Sequence, residues 1–466
     1  MNSPNEGTPL IRLAQNDEGS SLSRIFRWTP VELLVVLHTV TIVALGTVQT
    51  FYVIDETAKK HGQKHIVRHA ENSCYPGNIT NTSHINDTSS IIQKESAEII
   101  MYLGFCSTFA SVIPIFLLGY LSDFFGRRVM YITSICGTVF KELILLLTVL
   151  LRLPIWVLYI GQIGFAFTGT FSGSMVQIFA TVSDITPPGK KRAFRITVVQ
   201  ATGMLTAAVT NYGMGYWILT ERFREPITMS LAISMLTIFL SIFILRKPTE
   251  HDSQPKSLLG PLKLYIRDTP QHRRQKLLLC LLVFLLSSSC LQGKLEYQTL
   301  FLMHQPICWN AFNIQVMHAI QTLVNTVCVV GIVRLFLKFT EDVMVLLIAS
   351  ISGIASMLIL GFSVTSWMVY LHVIFGFVSI SIFPVMRAMM SRVVDPQEQG
   401  FLFASIAGLD ELQAALTGVV YGKMYTASVD WFPGFIFLIM AAVFSVALAG
   451  SIILYKWLKG DRPDRI

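Results

Sequence analysis

The sequence predicts an all-α membrane protein in which twelve transmembrane helices form two pseudo-symmetric bundles of six. Composition is the first observation behind this prediction, because 53% of the 466 residues are hydrophobic and 14% are charged, with a mean hydropathy of +0.58. A soluble protein with a single core is not this apolar. The second observation is that twelve apolar stretches are each long enough to cross about 30 Å of hydrocarbon. The third is a charged segment with four prolines, 247–276, which separates the first six stretches from the last six.

We number the stretches span 1 to span 12 in chain order. The predicted spans are 31–54, 97–121, 129–151, 154–182, 194–218, 227–246, 277–301, 313–336, 343–363, 367–390, 401–424 and 432–456. The predicted domains are an N-terminal tail (1–30), a first bundle (31–246) with an outer loop (55–96), a linker (247–276), a second bundle (277–456) and a C-terminal tail (457–466).

The net charge of +8 follows the positive-inside rule, by which Lys and Arg collect in cytosolic loops. Basic residues occur at Arg127 and Arg128, at 190–192, and eight times between Arg246 and Lys276. All of these positions fall on one side of the predicted topology. We therefore expect both termini in the cytosol, and the charge needs no nucleic-acid partner to explain it.

The turn between spans 2 and 3 is the most informative local motif. It reads Gly119-Tyr-Leu-Ser-Asp123-Phe-Phe-Gly126-Arg127-Arg128, a compact charge cluster at the membrane face. Such a cluster can hold neighbouring helices in one state and release them in another, so these five named residues are the predicted gate. Their order resembles the signature between the second and third helices of the major facilitator superfamily. That resemblance implies two six-helix bundles and transport by alternating access.

The outer loop carries three Asn-x-Ser/Thr sequons, at Asn78, Asn81 and Asn86, which are glycosylated if the loop faces an oxidising compartment. Five of the seven cysteines lie in predicted spans, whereas Cys74 and Cys308 lie in loops on the sequon side. The two are predicted to form a disulfide between the halves. The alternative is a pair of free thiols.

The N-terminal tail contains Glu6-Gly-Thr-Pro-Leu10-Ile11. This segment resembles the acidic dileucine address that sorts membrane transporters to lysosomes. It would bind a sorting adaptor in the cytosol. A chance match to so short a motif, with residence at the plasma membrane, is the alternative.

Four further segments resemble one solute-carrier family, which includes the proton-coupled folate transporter. They are Thr29-Pro-Val-Glu32, Gly169-Thr-Phe171-Ser-Gly173, Pro306-Ile-Cys308-Trp309 and Pro384-Val-Met-Arg387-Ala. The resemblance implies that Cys74 and Cys308 are bridged and that Arg387 holds an anionic substrate or couples to protons. Folate-transporting relatives carry acids or a His where this chain has Thr170, Gln200 and Leu291, which indicates a divergent member.

Ionisable residues inside membrane spans are rare unless they are functional or paired. Asp410 and Glu411 lie about 15 Å into span 11, near mid-membrane. Aligning the repeated Asp-Gly turns 184–189 and 395–400 places Glu411 opposite Gln200, so the missing acid has a counterpart in the other half; coincidence is the alternative. Glu142 in span 3 is a third candidate for proton coupling.

Two other residues late in span 7, Lys294 and Glu296, are expected at the outer interface, where their charged ends would reach water. For the substrate, Arg387 offers a bidentate anchor for a carboxylate or phosphate, unless it too reaches the nearby interface. Phe171 can stack on a planar ring, although packing is the commoner use of such residues. Thr170 and Gln200 complete the predicted substrate site.

These patterns predict a proton-coupled symporter that brings an organic anion into the cytosol. A receptor on the same fold and a uniporter without proton coupling are the alternatives. We find no catalytic cluster and no G-x-x-x-x-G-K-[ST] nucleotide motif, so neither an enzyme nor a nucleotide-driven pump is expected. No cofactor or metal site is expected. The predicted partners are the anion, protons and membrane lipid, and the sequence leaves the oligomeric state open.

Overall fold

The computed structural model describes residues 29–63, 82–186, 190–220, 222–245, 273–332, 342–394 and 399–460. Within these ranges the chain is helical and contains no β-strand, which confirms the predicted fold class. Several residues named above lie outside the described ranges: Glu6, Leu10, Ile11, Cys74, Asn78 and Asn81. Nearly all of the linker 247–276 also lies outside them.

Each of the twelve predicted spans corresponds to a helix among the described residues, and spans 4 and 10 are interrupted. The observed bounds are Thr29–Lys60 (span 1), Thr82–Phe125 (span 2), Arg127–Leu151 (span 3), Val157–Phe167 and Thr170–Ile185 (span 4), Lys190–Ile218 (span 5), Arg224–Ile244 (span 6), Arg273–Met303 (span 7), Ala311–Val327 continued by the π-helical turn Cys328–Ile332 (span 8), Asp342–Gly361 (span 9), Ser366–Gly376, the 3-10 turn Ser379–Ser381 and Ile382–Val393 (span 10), Gln399–Ser428 (span 11) and Phe435–Gly460 (span 12).

Span 2 begins well before its predicted start at residue 97. Its first turns are built from polar residues such as Ser89, Ser90 and Lys94, and the helix continues without a break into the apolar part. A helix satisfies its own backbone hydrogen bonds in water as well as in lipid, so hydropathy marks where the lipid ends and not where the helix ends. Asn86 is consequently in a helix, not in an open loop.

Ten of the spans are long and apolar enough to cross a membrane by composition alone. The other two, span 5 and span 11, are less apolar over their described residues because Thr, Asn, Gln and acidic side chains interrupt them. They occupy the same place in the two halves, as the fifth helix of each bundle. Polar side chains at corresponding places indicate that both helices face something other than lipid.

The two bundles meet along two pairs of helices. Span 2 packs along span 11, and span 5 packs along span 8. We call the end of the molecule where span 1 finishes at Lys60 the sequon end, and the opposite end, which carries the turn at Gly126, the basic end. At the sequon end the bundles are joined by ion pairs, Lys94 with Asp430 and Glu98 with Lys423, the latter at 2.9 Å. The sequon end is therefore held closed in this conformation.

At the basic end, ion pairs lie within each bundle. Arg127 at the start of span 3 pairs with Asp184 at the end of span 4 (Nε to Oδ2, 3.3 Å). Asp342 at the start of span 9 pairs with Arg392 at the end of span 10. The two pairs occupy equivalent places in the two halves with their charges exchanged, so the basic turn of the first half has an acidic counterpart in the second.

The predicted gate residues surround this first ion pair. Gly126 has φ 86° and ψ 151°, a backbone conformation open essentially to glycine alone. Arg127 also donates a hydrogen bond to Ser122, which ties span 2 to span 3. Gly119 lies inside span 2, Arg128 is half-buried, and the side chain of Asp123 lies outside the described residues.

The cysteines fall into the two groups that the sequence suggests. Cys308 is disulfide-bonded, and the five cysteines within the spans are free: Cys106, Cys136, Cys280, Cys290 and Cys328. The predicted partner, Cys74, is not among the described residues, so the identity of the bridge stays a prediction.

Candidate functional site

Span 4 breaks in the middle of the first bundle, and the break positions several polar residues. Its first helix ends at Phe167 and its second begins at Thr170. Gly169 has φ 83° and Thr170 has φ 56°. A β-branched residue at positive φ is an outlier that costs on the order of 1–3 kcal/mol and persists only where the surroundings impose it. The surrounding structure therefore holds the backbone of Gly169 and Thr170 in a conformation that a regular helix would not adopt.

The residues just after the break face two different partners. The ring of Phe171 stacks on His38 of span 1, with centroids 5.6 Å apart and planes at 30°. The hydroxyl of Ser172 donates a hydrogen bond to the carboxylate of Glu411 in span 11. Span 4 of the first bundle thus contacts span 11 of the second through an acid that the sequence singled out.

Glu411 also lies within hydrogen-bonding reach of Ser111 in span 2. Close by, Gly408 of span 11 packs against the ring of Phe116, since a Cβ on this glycine would lie 1.9 Å from the ring. Glu411 therefore lies half-buried at the contact between the bundles, where the hydroxyl of Ser172 from the first bundle contacts it.

Asp410 points in another direction, as expected for the next residue of a helix. It accepts hydrogen bonds from Ser288 (2.5 Å) and Gln292 (3.4 Å) of span 7. It also interacts electrostatically with Arg387 of span 10, whose guanidinium carbon lies 5.6 Å from the centroid of the Phe284 ring. Asp410 is therefore held within the second bundle.

We call Arg387, Asp410 and Glu411 the charged cluster. Asp410 lies near enough to Arg387 to interact with it electrostatically, so it lowers the positive potential that an approaching anion meets at Arg387. Glu411 is an acid whose ionised form depends on hydroxyls from the opposite bundle. Such a cluster can bind an anion, hold or release a proton, and sense whether the bundles are in contact.

Two of the predicted site residues lie away from this cluster. Glu142 is fully buried inside the first bundle and accepts hydrogen bonds from Ser230 and Ser234 of span 6, the second at 3.1 Å. Gln200 is exposed on span 5, and no hydrogen bond joins it to another described residue. By contrast, Thr170 and Phe171 flank the contact that Ser172 makes with the cluster.

The hydroxyl and amide partners of the acids were not predicted from the sequence. Ser111, Ser172, Ser288 and Gln292 are ordinary residues in membrane helices, and Ser is common throughout this chain. One available signal was the four-residue spacing of Ser288 and Gln292, which places them on one face of span 7.

The expectation for Lys294 is wrong. Its side chain does not reach water at the interface, because the residue is only 6% exposed and lies among spans 7, 8 and 10. It packs beside a small cavity inside the second bundle. Sequence position alone gave neither the depth of the residue nor the polar side chains opposite it.

Comparisons with known proteins give a consistent result. The family model of the Major Facilitator Superfamily matches residues 78–409. The chain is 24% identical to the proton-coupled folate transporter of Rattus norvegicus over 422 residues, covering 89% of each protein. It is 26% identical to the lysosomal proton-coupled steroid conjugate and bile acid symporter SLC46A3 of Homo sapiens over 365 residues, covering 76% of this chain and 78% of the relative.

Solved structures show the same fold at low sequence identity. The human organic anion transporter MFSD10 superimposes with a TM-score of 0.61 at 14% identity, covering 91% of this chain and 98% of the other. A point mutant of the nucleoside transporter NupG superimposes with a TM-score of 0.63 at 14% identity, covering 91% and 100%.

Proposed function

Because this chain belongs to the Major Facilitator Superfamily, we propose that it is a secondary active transporter that carries an organic anion together with protons by alternating access. The observation that carries the proposal is the charged cluster, which combines an anion-binding guanidinium with two acids where the bundles meet. The relatives of this chain are named as proton-coupled transporters of folate or of steroid conjugates and bile acids. These names also support an organic anion as the substrate. The proposal assigns no chemical reaction to the protein.

The proposed coupling follows from the partners of Glu411. An ionised carboxylate in the membrane needs hydrogen-bond donors, because leaving it without them costs about 2.5 kcal/mol or more. Ser172 is such a donor and belongs to the other bundle, where Ser111, whose hydroxyl donates to the carbonyl of Thr108, also lies within reach. A protonated Glu411 needs them less, so protonation loosens the contact between the bundles and permits them to rearrange.

The proposed role of Arg387 is to bind the anionic group of the substrate. A guanidinium presents paired N–H donors that match a carboxylate or phosphate. Asp410 balances its charge in the empty transporter and is itself held by Ser288 and Gln292. Phe171 and Thr170 are proposed to line the same path from the first bundle, and Gln200 from span 5.

The location and modification of the protein belong to this proposal as well. We place both tails in the cytosol, with Leu10 and Ile11 directing the protein to lysosomes through an adaptor. Glycans on Asn78, Asn81 and Asn86 and a Cys74–Cys308 disulfide then lie on the luminal side. Residence at the plasma membrane is the alternative.

The test uses the purified full chain in liposomes, with labelled folate, steroid sulfate and bile acid offered at two external pH values. We expect an inward proton gradient to stimulate uptake of at least one of these anions. Glu411→Gln should remove most of this stimulation while substrate exchange survives, because exchange does not require the empty carrier to reset. Asp410→Asn should keep the stimulation and lower the apparent KM, because Arg387 loses its neutralising partner.

Glu142→Gln is the matched control, since Glu142 is also a buried acid but its hydrogen-bond partners among the described residues, Ser230 and Ser234, lie in the first bundle. Proton stimulation that survives Glu411→Gln but not Glu142→Gln would move the coupling site into the first bundle. Uptake without any proton stimulation would make the protein a uniporter. A wild-type protein that binds but does not move any of these anions would instead be a receptor.

A further inference from the structure

The second bundle contains a buried cation, Lys294, with no counter-ion among the described residues. Lys294 of span 7 is 6% exposed, and it forms no ion pair with any residue that the structure describes. Glu296, two residues later, points to the opposite side of span 7, toward Gly418 of span 11 and Gly104 of span 2. An ammonium group in a membrane span is costly and is normally paired, so an unpaired one indicates that something else supplies the negative charge.

The cavity beside Lys294 has the chemistry to hold an anion. Its volume is about 40 Å³, room for a few water-sized atoms and hence for a carboxylate or sulfate group. Gln321 and Asn325 of span 8 line it, and each carries a carboxamide whose N–H groups can donate to an oxyanion. Gln321 is 5% exposed and forms no hydrogen bond with a described residue, so its Nε2 is left as a donor.

One histidine, His372, lines the cavity, a second, His318, lies near Lys294, and both already have hydrogen-bond partners. His372 of span 10 contacts the carbonyl oxygen of Val369 through Nδ1 and the amide nitrogen of Gln298 through Nε2, at 3.1 Å. His318 of span 8 is 3.3 Å from the hydroxyl of Thr299. A carbonyl accepts and an amide nitrogen donates, so this arrangement describes a neutral His372 with its proton on Nδ1. Lys294 is therefore the only formal charge among the residues that line the cavity.

We propose that Lys294, with Gln321 and Asn325, forms a second anion subsite that binds an oxyanion group of the transported substrate. The inference rests on the proposed transport of an organic anion and adds where one end of that anion binds. Lys294 lies six residues beyond Ser288, the partner of Asp410, which is about 9 Å along the helix. The subsite therefore favours an elongated substrate, with one polar end near Arg387 and an oxyanion end at Lys294.

The test compares Lys294→Gln with Lys294→Arg in the purified full chain. Uptake into liposomes and saturable binding in detergent are measured for a labelled steroid sulfate, a bile acid and a folate. We expect Lys294→Gln to weaken the apparent affinity for the anion that the wild type accepts at least tenfold, and Lys294→Arg to keep it within about threefold. Lys141→Gln is the matched control, because Lys141 is another membrane lysine but lies over Phe165 in the first bundle.

A second variant keeps the test independent of folding. Gln321→Leu is close in volume and removes only the carboxamide, so we expect it to weaken affinity severalfold without lowering the melting temperature. Excess inorganic sulfate is added in a separate arm. If inorganic sulfate displaces the labelled anion from the wild-type protein as effectively as the unlabelled organic anion does, the assignment to substrate is overturned.

The outcomes separate this inference from the proposed function. Normal uptake with unchanged affinity in Lys294→Gln overturns the subsite and leaves the transport function standing. Binding that depends on Lys294, in a protein that moves none of the anions, supports the subsite and contradicts transport. The absence of both uptake and saturable binding for every anion contradicts both.

Discussion

Thr170 is the residue at which the backbone of this protein is most clearly under constraint. It holds a positive φ of 56° directly after Gly169, which also has a positive φ. Family resemblance singled out Thr170 as a candidate substrate-binding residue, but nothing in the sequence indicated its backbone conformation. This turn orients Ser172 toward Glu411. The hydrogen bond between them therefore depends on the backbone conformation of Thr170.

Thr170→Gly is expected to stabilise the protein by about 1 kcal/mol, because glycine adopts positive φ without steric cost. Thermal unfolding of the purified protein in detergent measures this change. The loss of the Thr side chain should leave the hydrogen bond between Ser172 and Glu411 in place, so proton stimulation should persist. A lower melting temperature would show that packing of the Thr170 side chain outweighs the strain.

The hydroxyl partners of Glu411 offer a second test at this scale. Ser172→Ala removes a donor to the half-buried acid Glu411, which costs on the order of 1–3 kcal/mol when the carboxylate is ionised. We expect proton-driven uptake in this variant to require less acid, because the ionised form has lost a partner and protonation occurs more readily. A pH profile of uptake should move toward higher pH. Ser174→Ala is the control, since Ser174 donates only to the carbonyl of Phe171.

Among the helices, the close approach of span 9 to span 12 depends on glycine. A Cβ on Gly434, just before span 12, would lie 1.9 Å from the backbone oxygen of Gly361 at the end of span 9. Backbone atoms cannot move aside as a flexible side chain does. Gly434→Ala should therefore destabilise the protein by about 1–3 kcal/mol, seen as a lower melting temperature and reduced yield.

Gly213→Ala supplies the comparison. This glycine lies inside span 5 with nothing within 4 Å of a Cβ built on it. Alanine is favoured over glycine inside a helix by about 0.5–1 kcal/mol, so this variant should be neutral or slightly stabilising. Equal losses at positions 213 and 434 would contradict the close contact as the cause.

Hydropathy predicts the helices of this protein well and their contacts poorly. All twelve spans were located from apolar runs, because lipid admits no other kind of segment. The break at Gly169 was not predicted, since a single glycine in a membrane helix is common. The rotation of span 11 was equally inaccessible: the sequence placed Asp410 and Glu411 at mid-membrane, but which bundle each one faces depends on the packing of spans 2, 4 and 7.

Lys294 shows where sequence reasoning about charge fails. A lysine near a helix end commonly reaches the interface, and this was the expectation. Its burial depends on a polar wall made by spans 8 and 10, whose residues are distant from it in the chain. Only the folded arrangement brings that wall to the lysine.

At the scale of the whole molecule, the contact between spans 2 and 11 holds the sequon end closed. Glu98 and Lys423 pair across it at 2.9 Å, and Lys94 pairs with Asp430 beside them. Both pairs must separate if alternating access opens this end. Surface ion pairs contribute little individually, which suits a contact that forms and breaks in every cycle.

Lys423→Glu places two acids opposite one another and should open the sequon end more often. We expect labelling of an introduced Ser172→Cys by an impermeant thiol reagent, added from that side, to rise about two- to fivefold. The double variant with Glu98→Lys restores opposite charges and should return labelling to its starting level. Equal labelling in all three proteins would mean that this ion pair does not control the opening.

The two less apolar helices also have a consequence for how the chain is made. Spans 5 and 11 contain too many polar side chains to enter lipid as readily as the other ten. Each has its main partner elsewhere in the chain, span 5 against span 8 and span 11 against span 2. During synthesis span 5 emerges before its partner exists, whereas span 11 emerges when span 2 is already in place. We therefore expect the first bundle to stay incompletely assembled until the second has been made. Mutations in span 8 should leave span 5 without its partner, so that cellular quality control degrades the protein before any effect on transport can be measured.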